Sequence, residues 1–171
     1  MTRRQFMAAG AMASAAWAAG CSSHRGPWES LTERQAQTLA AICDQIVPAD
    51  DYPSASQAGV VTYIDRQLAR HYRRHRKAYA LGLEQADSIG ATRCGVRLAQ
   101  ASPPQQLQVV MAIEQQNAAF FDLVRKHTLE GYYGSPRHGG NRDAVSWRML
   151  GVSQPPLLGR AQYDLSKGPR S

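Results

Sequence analysis

His71 and His75 stand four residues apart, a spacing that turns two imidazoles toward one metal ion when the segment is helical. Arg70, Arg73, Arg74, Arg76 and Lys77 crowd the pair. That much positive charge repels a cation, so the segment reads as a solvated basic face. His127 lies near the end of an apolar helical pattern. Packing, or a hydrogen bond near a helix C-terminus where the dipole favours positive charge, suits it better than ligation or catalysis. Asp50 and Asp51 offer adjacent carboxylates of the kind that do acid–base work, but among turn-forming neighbours they read first as a helix boundary. The strings of stand-alone enzymes are missing. There is no C-x-x-C-H for covalent haem, no G-x-G-x-x-G after a strand, no H-E-x-x-H, no P-loop and no G-x-S-x-G. The expectation is a chain with no catalytic, cofactor-binding or metal-ligating residues of its own.

The three cysteines carry a different chemistry. Thr2-Arg3-Arg4-Gln5-Phe6 is similar to the twin-arginine export signal, S/T-R-R-x-F, and a weakly hydrophobic run of about 14 residues follows it. Ala18-Ala19-Gly20-Cys21 resembles a bacterial lipobox, in which a diacylglycerol is joined to the cysteine and the chain is cut before it. Residues 1–20 are therefore expected to be a signal peptide, with Arg3, Arg4 and Phe6 as its export determinants, and residues 21–30 a lipidated tether. The mature protein would be periplasmic and held at the membrane by Cys21, each buried CH₂ adding roughly 0.8 kcal/mol. Cys43 and Cys94 remain. In an oxidising compartment they either close a disulfide loop of about 50 residues, worth roughly 3–4 kcal/mol, or stay as two buried thiols that never meet.

The elements that position these groups follow from composition and periodicity. At 171 residues, 43% hydrophobic and 19% charged, the chain suits one globular domain. No apolar run reaches the ~18 residues of a spanning helix. The net charge of +7 falls to +5 once Arg3 and Arg4 are removed. Its densest part, residues 66–77, would attract nucleic acid in the cytoplasm, but the export signal makes anionic lipid headgroups or an acidic partner surface the better match.

Ser30 with Glu33, or Thr32 with Gln35, can cap a first helix, along which Leu39, Ile42, Cys43 and Ile46 recur at i, i+3, i+4 and i+7. Pro48 stops it. A second helix is expected over 56–77, with Val60, Tyr63, Ile64, Leu68 and Tyr72 as its apolar stripe, and a third over 78–89, ended by Gly90. Ser102 caps a fourth with proline at its first position, and the pattern runs on to about Glu130. One further turn or two is expected over 144–150. No segment alternates like a strand. The expected fold is all-α, a single small domain of four to five helices over 31–151, with a long Gly/Tyr/Pro-rich C-terminal loop region and an irregular tail over 152–171.

That loop is the least ordinary stretch. Tyr132, Tyr133, Gly134, Pro136, Gly139, Gly140 and Asn141, with Trp147 beyond, combine close-approach glycines with aromatics of the kind that partners bury. They are the expected partner interface. The plainer reading is an ordered loop that seals its own helices.

These residues also carry a family resemblance. Asp44-Gln45-Ile46-Val47-Pro48-Ala49-Asp50, Ala58-Gly59-Val60 and Tyr63-Ile64-Asp65 look like the N-terminal half of the gluconate 2-dehydrogenase subunit 3 family. Phe120-Phe121-x-Leu123-Val124-Arg125-x-His127-Thr128-x-x-Gly131-Tyr132-Tyr133-Gly134-x-Pro136, then Gly139-Gly140-Asn141 and Trp147-x-Met149-Leu150-Gly151, look like its C-terminal signature. The resemblance implies a non-catalytic small subunit that supports export, maturation and anchoring of a large flavoprotein of the glucose–methanol–choline type. FAD would sit in that partner, which oxidises gluconate or a related sugar or polyol, and haem c in a multihaem cytochrome. No nucleic acid is expected as a partner. A transient export chaperone and a stand-alone periplasmic ligand-binding lipoprotein are the alternatives. The basic stretch over 70–77 and the Cys43/Cys94 pair are not part of the motif.

Overall fold

A computed structural model describes residues 27–152. Arg3, Arg4, Phe6 and Cys21 lie outside the described residues, as does the tail beyond 152. The described chain is all-α, with six α-helices where four to five were expected. They are α1 (Glu33–Ile46), α2 (Val60–Ala69), α3 (Arg76–Cys94), α4 (Pro103–Gln116), α5 (Ala118–Tyr133) and α6 (Val145–Met149), joined in part by short 3₁₀ turns.

Thr32 and not Ser30 caps α1. Its hydroxyl accepts from the Gln35 N–H, while the Gln35 side chain accepts from the Thr32 N–H. Ser30 is committed elsewhere, because the backbone N–H groups of Glu29, Ser30 and Leu31 all donate to the buried Asp65 carboxylate of α2, at 2.7, 2.8 and 2.9 Å. The first segment of the domain is thus fastened to α2.

Three expected boundaries move, each for a local reason. The helix expected over 56–77 is only α2. Continuing it would stack Arg66, Arg70, Arg73, Arg74 and Lys77 at three- and four-residue spacing, and like charges so placed repel. The chain turns instead, and Arg76 folds back so that its guanidinium donates to the Leu68 and Ala69 carbonyls, satisfying the exposed end of α2. Gly90 does not end α3. A Cβ there would lie 2.8 Å from the Leu98 nitrogen, so glycine is needed for close approach; the helix stops at Gly95, which takes the left-handed conformation at φ 73°. The pattern from 102 to 130 is two helices. Asn117 accepts from the Phe120 N–H to start α5 and donates to Gln85 of α3, which breaks the run where asparagine competes best with helix.

The break lets α4 pack on α3 while α5 packs on α2, and α1 touches α2, α3, α4 and α5. Leu39, Ile42, Ile64, Leu68, Leu83, Leu98, Val109, Ile113 and Val124 fill the centre. Each contributes about 1.5–3 kcal/mol by leaving water. The expected α1 and α2 stripes point inward, except that Ile46 and Tyr72 are half-buried.

Of the two readings left open for Cys43 and Cys94, the possible bridge is corrected: both are free thiols, and Cys94 is only half-buried. Cys43 is buried, facing α5, where its Sγ lies 3.2 Å from Thr128 Oγ1. Cys94 sits at the C-terminal end of α3. Burial pushes the Cys43 thiol up to about 12, so it behaves as a small apolar side chain.

Candidate functional site

The sequence from 131 to 147 folds into a loop built around Asn141. This side chain is fully buried. Its Nδ2 donates to the Gly134 carbonyl at 2.8 Å and its Oδ1 accepts from the Ser146 N–H at 2.9 Å. The end of α5 and the start of α6 are therefore tied through one amide. Asn141 holds φ at 45°, and Asp143 and Ala144 follow at 56° and 53°. Non-glycine residues seldom adopt such angles, so the surrounding contacts must impose them.

Backbone approach explains the glycines. A Cβ on Gly140 would lie 2.2 Å from the Gly131 carbonyl oxygen. The loop also grips the segment that leads into α2. The Arg142 N–H donates to the Ala58 carbonyl at 2.8 Å, and the Tyr132 hydroxyl donates to the Pro53 carbonyl at 2.9 Å.

The structure brings the eight expected interface residues together and then divides them. Tyr132, Gly140 and Asn141 are buried and hold the loop in place. Gly134, Pro136 and Gly139 are half-buried. Tyr133 is 41% exposed, and Trp147 is half-buried with its indole N–H donating to the Tyr133 carbonyl at 2.9 Å. Beside them the Val152 N–H donates to the Trp147 carbonyl, and Leu150 and Val152 expose 58% and 51% of their surface. Sequence reasoning did not count these two with the interface: Leu150 stood only in the family signature and Val152 in the irregular tail. Tyr133, Trp147, Leu150 and Val152 make an apolar rim on a rigid base.

The spacing of His71 and His75 does not place them on one helix. Both lie in the segment between α2 and α3, His71 in its first turn and His75 at the end of the 3₁₀ turn that leads into α3. Among the described residues, no group of three or more His, Cys, Asp or Glu side chains is placed to hold a metal ion. Asp50 bounds a turn, its carboxylate accepting from the Tyr52 N–H.

His127 packs, as its pattern suggests. The ring is 2% exposed and nearly parallel to those of Tyr72 and Tyr79, with centroids 4.2 and 5.9 Å away. Its Nδ1 shares a 2.9 Å hydrogen bond with the Tyr79 hydroxyl, and the Tyr72 hydroxyl donates to Glu130. Burial, reinforced by His75, Lys126 and Arg74, outweighs the pull of Glu130 and lowers the His127 pKa to about 4. The ring is thus held as a neutral packing residue with its Nδ1 committed to Tyr79.

It does make stability depend on pH. The unfolded chain takes up this proton near pH 6.5 and the folded one only near 4, so stability is full above 6.5 and falls as pH drops through that window. Between pH 7 and 5 the loss from this group is about 2 kcal/mol. Denaturant titrations at both pH values check it: His127→Gln keeps an acceptor for Tyr79 and should lose most of the difference.

Comparison with known proteins places these features. The family model for gluconate 2-dehydrogenase subunit 3 matches residues 33–154, from the start of α1 to just beyond the apolar rim. No curated protein and no solved structure matches the chain. With that match spanning the helices and the Asn141 loop alike, the chain belongs to the gluconate 2-dehydrogenase subunit 3 family, small subunits of dehydrogenase complexes.

Proposed function

We propose that this chain is the non-catalytic small subunit of a periplasmic, membrane-tethered, FAD-dependent dehydrogenase acting on gluconate or a related sugar or polyol. Its work is to support export, maturation and anchoring of the large flavoprotein. The observation that carries this reading is the apolar rim of Tyr133, Trp147, Leu150 and Val152, fixed on a buried hydrogen-bonded base. A rigid aromatic and aliphatic patch suits burial by a protein surface. In this reading FAD belongs to the flavoprotein and haem c to a cytochrome subunit.

Twin-arginine export of folded proteins supplies the logic of a single leader. A signal on this chain carries a preassembled, cofactor-loaded partner, and lipid on Cys21 keeps the complex at the membrane beside its electron acceptor.

The test is capture of the tagged chain from host membranes in mild detergent, followed by a visible spectrum. The wild type should bring down a large protein with oxidised-flavin absorbance. Tyr133→Asp with Leu150→Asp, both at exposed positions, should reduce that flavin at least tenfold while leaving helicity unchanged. A folded, colourless, solitary wild-type chain overturns the stable-subunit reading.

A further inference from the structure

A second surface lies at the other end of α2. Arg66, Arg70, Arg73, Arg74, Arg76 and Lys77 are all exposed, and no acidic residue stands between Asp65 and Glu84. Among the described residues, Arg70 alone of the six pairs with a carboxylate, that of Glu29 at 3.3 Å. Lys126 joins them from α5. The Arg74 Nε lies 3.1 Å from His75 Nε2, and the His75 ring stands 5.7 Å from that of His127, next to Lys126 in the chain, so the two cations flank one spot and, with burial, lower the His75 pKa.

The position of this cluster relative to the leader is set by hydrogen bonds. Asp65 holds the backbone of residues 29–31, and Glu29 reaches Arg70 at the end of α2. The chain therefore enters the domain beside the cluster. From Cys21 to Trp28 is seven residues, which span at most about 25 Å when fully extended. A lipid on Cys21 would keep the bilayer within that reach of the cluster.

We propose that the basic face formed by Arg70, Arg73, Arg74, Lys77 and Lys126 binds anionic lipid headgroups and sets the orientation of the domain on the membrane. The rim of Tyr133, Trp147, Leu150 and Val152 is then left to the partner. The proposal deepens the anchoring reading and rests on Cys21 for the direction of approach. Charge complementarity favours lipid: five cations share the face, and among the described residues the only ion pairs set against them are Glu29 on Arg70 and Glu130 on Lys126, whereas a protein interface places buried aromatic and apolar anchors at its centre.

The experiment separates patch from anchor. The full chain carrying Cys21→Ser is mixed with vesicles of phosphatidylcholine, alone or with 30% phosphatidylglycerol, and sedimented. It should bind only the anionic vesicles and release them in high salt. Arg73→Glu with Lys77→Glu should weaken binding at least twenty-fold, since each cation near the surface is worth roughly fivefold. Lys77 and Arg93 lie on the same helix, about 24 Å apart along its axis. Lys77→Glu should therefore weaken binding several-fold, and Arg93→Glu should leave it nearly unchanged.

Equal losses from these two would show attraction by net charge alone and overturn the proposal. So would no binding to anionic vesicles, or patch variants that bind vesicles normally but lose flavoprotein capture. A wild-type chain that stays soluble in the host while the Cys21→Ser form binds anionic vesicles would sink the lipid anchor and leave the patch standing.

Discussion

Asp65→Ala is expected to lower the unfolding free energy by about 3–5 kcal/mol, measured by denaturant titration of the helical signal at neutral pH. The carboxylate is 2% exposed and accepts three consecutive backbone N–H groups. Removing it orphans all three, and a buried or half-buried donor without a partner costs about 1–3 kcal/mol. Asp65→Asn orders the effects. Its Oδ1 still accepts from Ser30 and Leu31, but its amide faces the Glu29 N–H donor to donor, so a loss of about 1–2 kcal/mol is expected. The exposed pair between Arg70 and Glu29 cannot compensate, because such pairs contribute about 0–1 kcal/mol. Limited proteolysis should cut between 27 and 31 in the alanine variant well before the wild type. A loss below about 1 kcal/mol in Asp65→Ala would mean that the segment ahead of α1 is only loosely fastened.

Asn141→Ala should cost a similar amount for a different reason. It strands the Gly134 carbonyl and the Ser146 N–H, and it places a Cβ at φ 45° without the local hydrogen bonds that let asparagine tolerate that angle. The expected loss is about 3–5 kcal/mol. Asn141→Gly loses the same two bonds but relieves the backbone, so it should be about 1 kcal/mol less damaging than alanine. Hydrogen exchange at Ser146 reports the effect locally and should accelerate in both variants. If glycine and alanine are equally damaging, the left-handed backbone carries no strain and the hydrogen bonds alone hold the loop. Flavin capture should fall in proportion, since the apolar rim stands on this knot.

The apolar stripes were legible because each needs only helical spacing. Leu39, Ile42 and Cys43 on α1, and Val60, Tyr63, Ile64 and Leu68 on α2, point inward as their intervals require. Helix ends were not, because tertiary contacts decide them. Nothing near Gly90 shows that Leu98 will press on it, and nothing near Ser30 shows that Asp65, 35 residues away, will claim its N–H. The break at Asn117 had a local signal in the asparagine itself, but an apolar pattern on both sides of it masked the stop.

The C-terminal string was recognisable as a motif before its parts could be assigned. Geometry alone separates Tyr132, whose hydroxyl reaches Pro53, from Tyr133, which faces solvent. Two cysteines behind an expected export signal invite a bridge, yet helix packing turns Cys43 toward Thr128 on α5.

The clasp that Arg142 and Tyr132 make on residues 53–58 has a consequence for synthesis. The Arg142 N–H and its acceptor, the Ala58 carbonyl, are 84 positions apart, and the Ser146 N–H must still find Asn141. A nascent chain that has not reached Ser146 cannot close over α2, however well α1 to α4 have formed. The same late segment carries Tyr133 and Trp147 to the surface. A partner that grips this rim, as proposed above, would therefore meet it only on copies in which this clasp has closed.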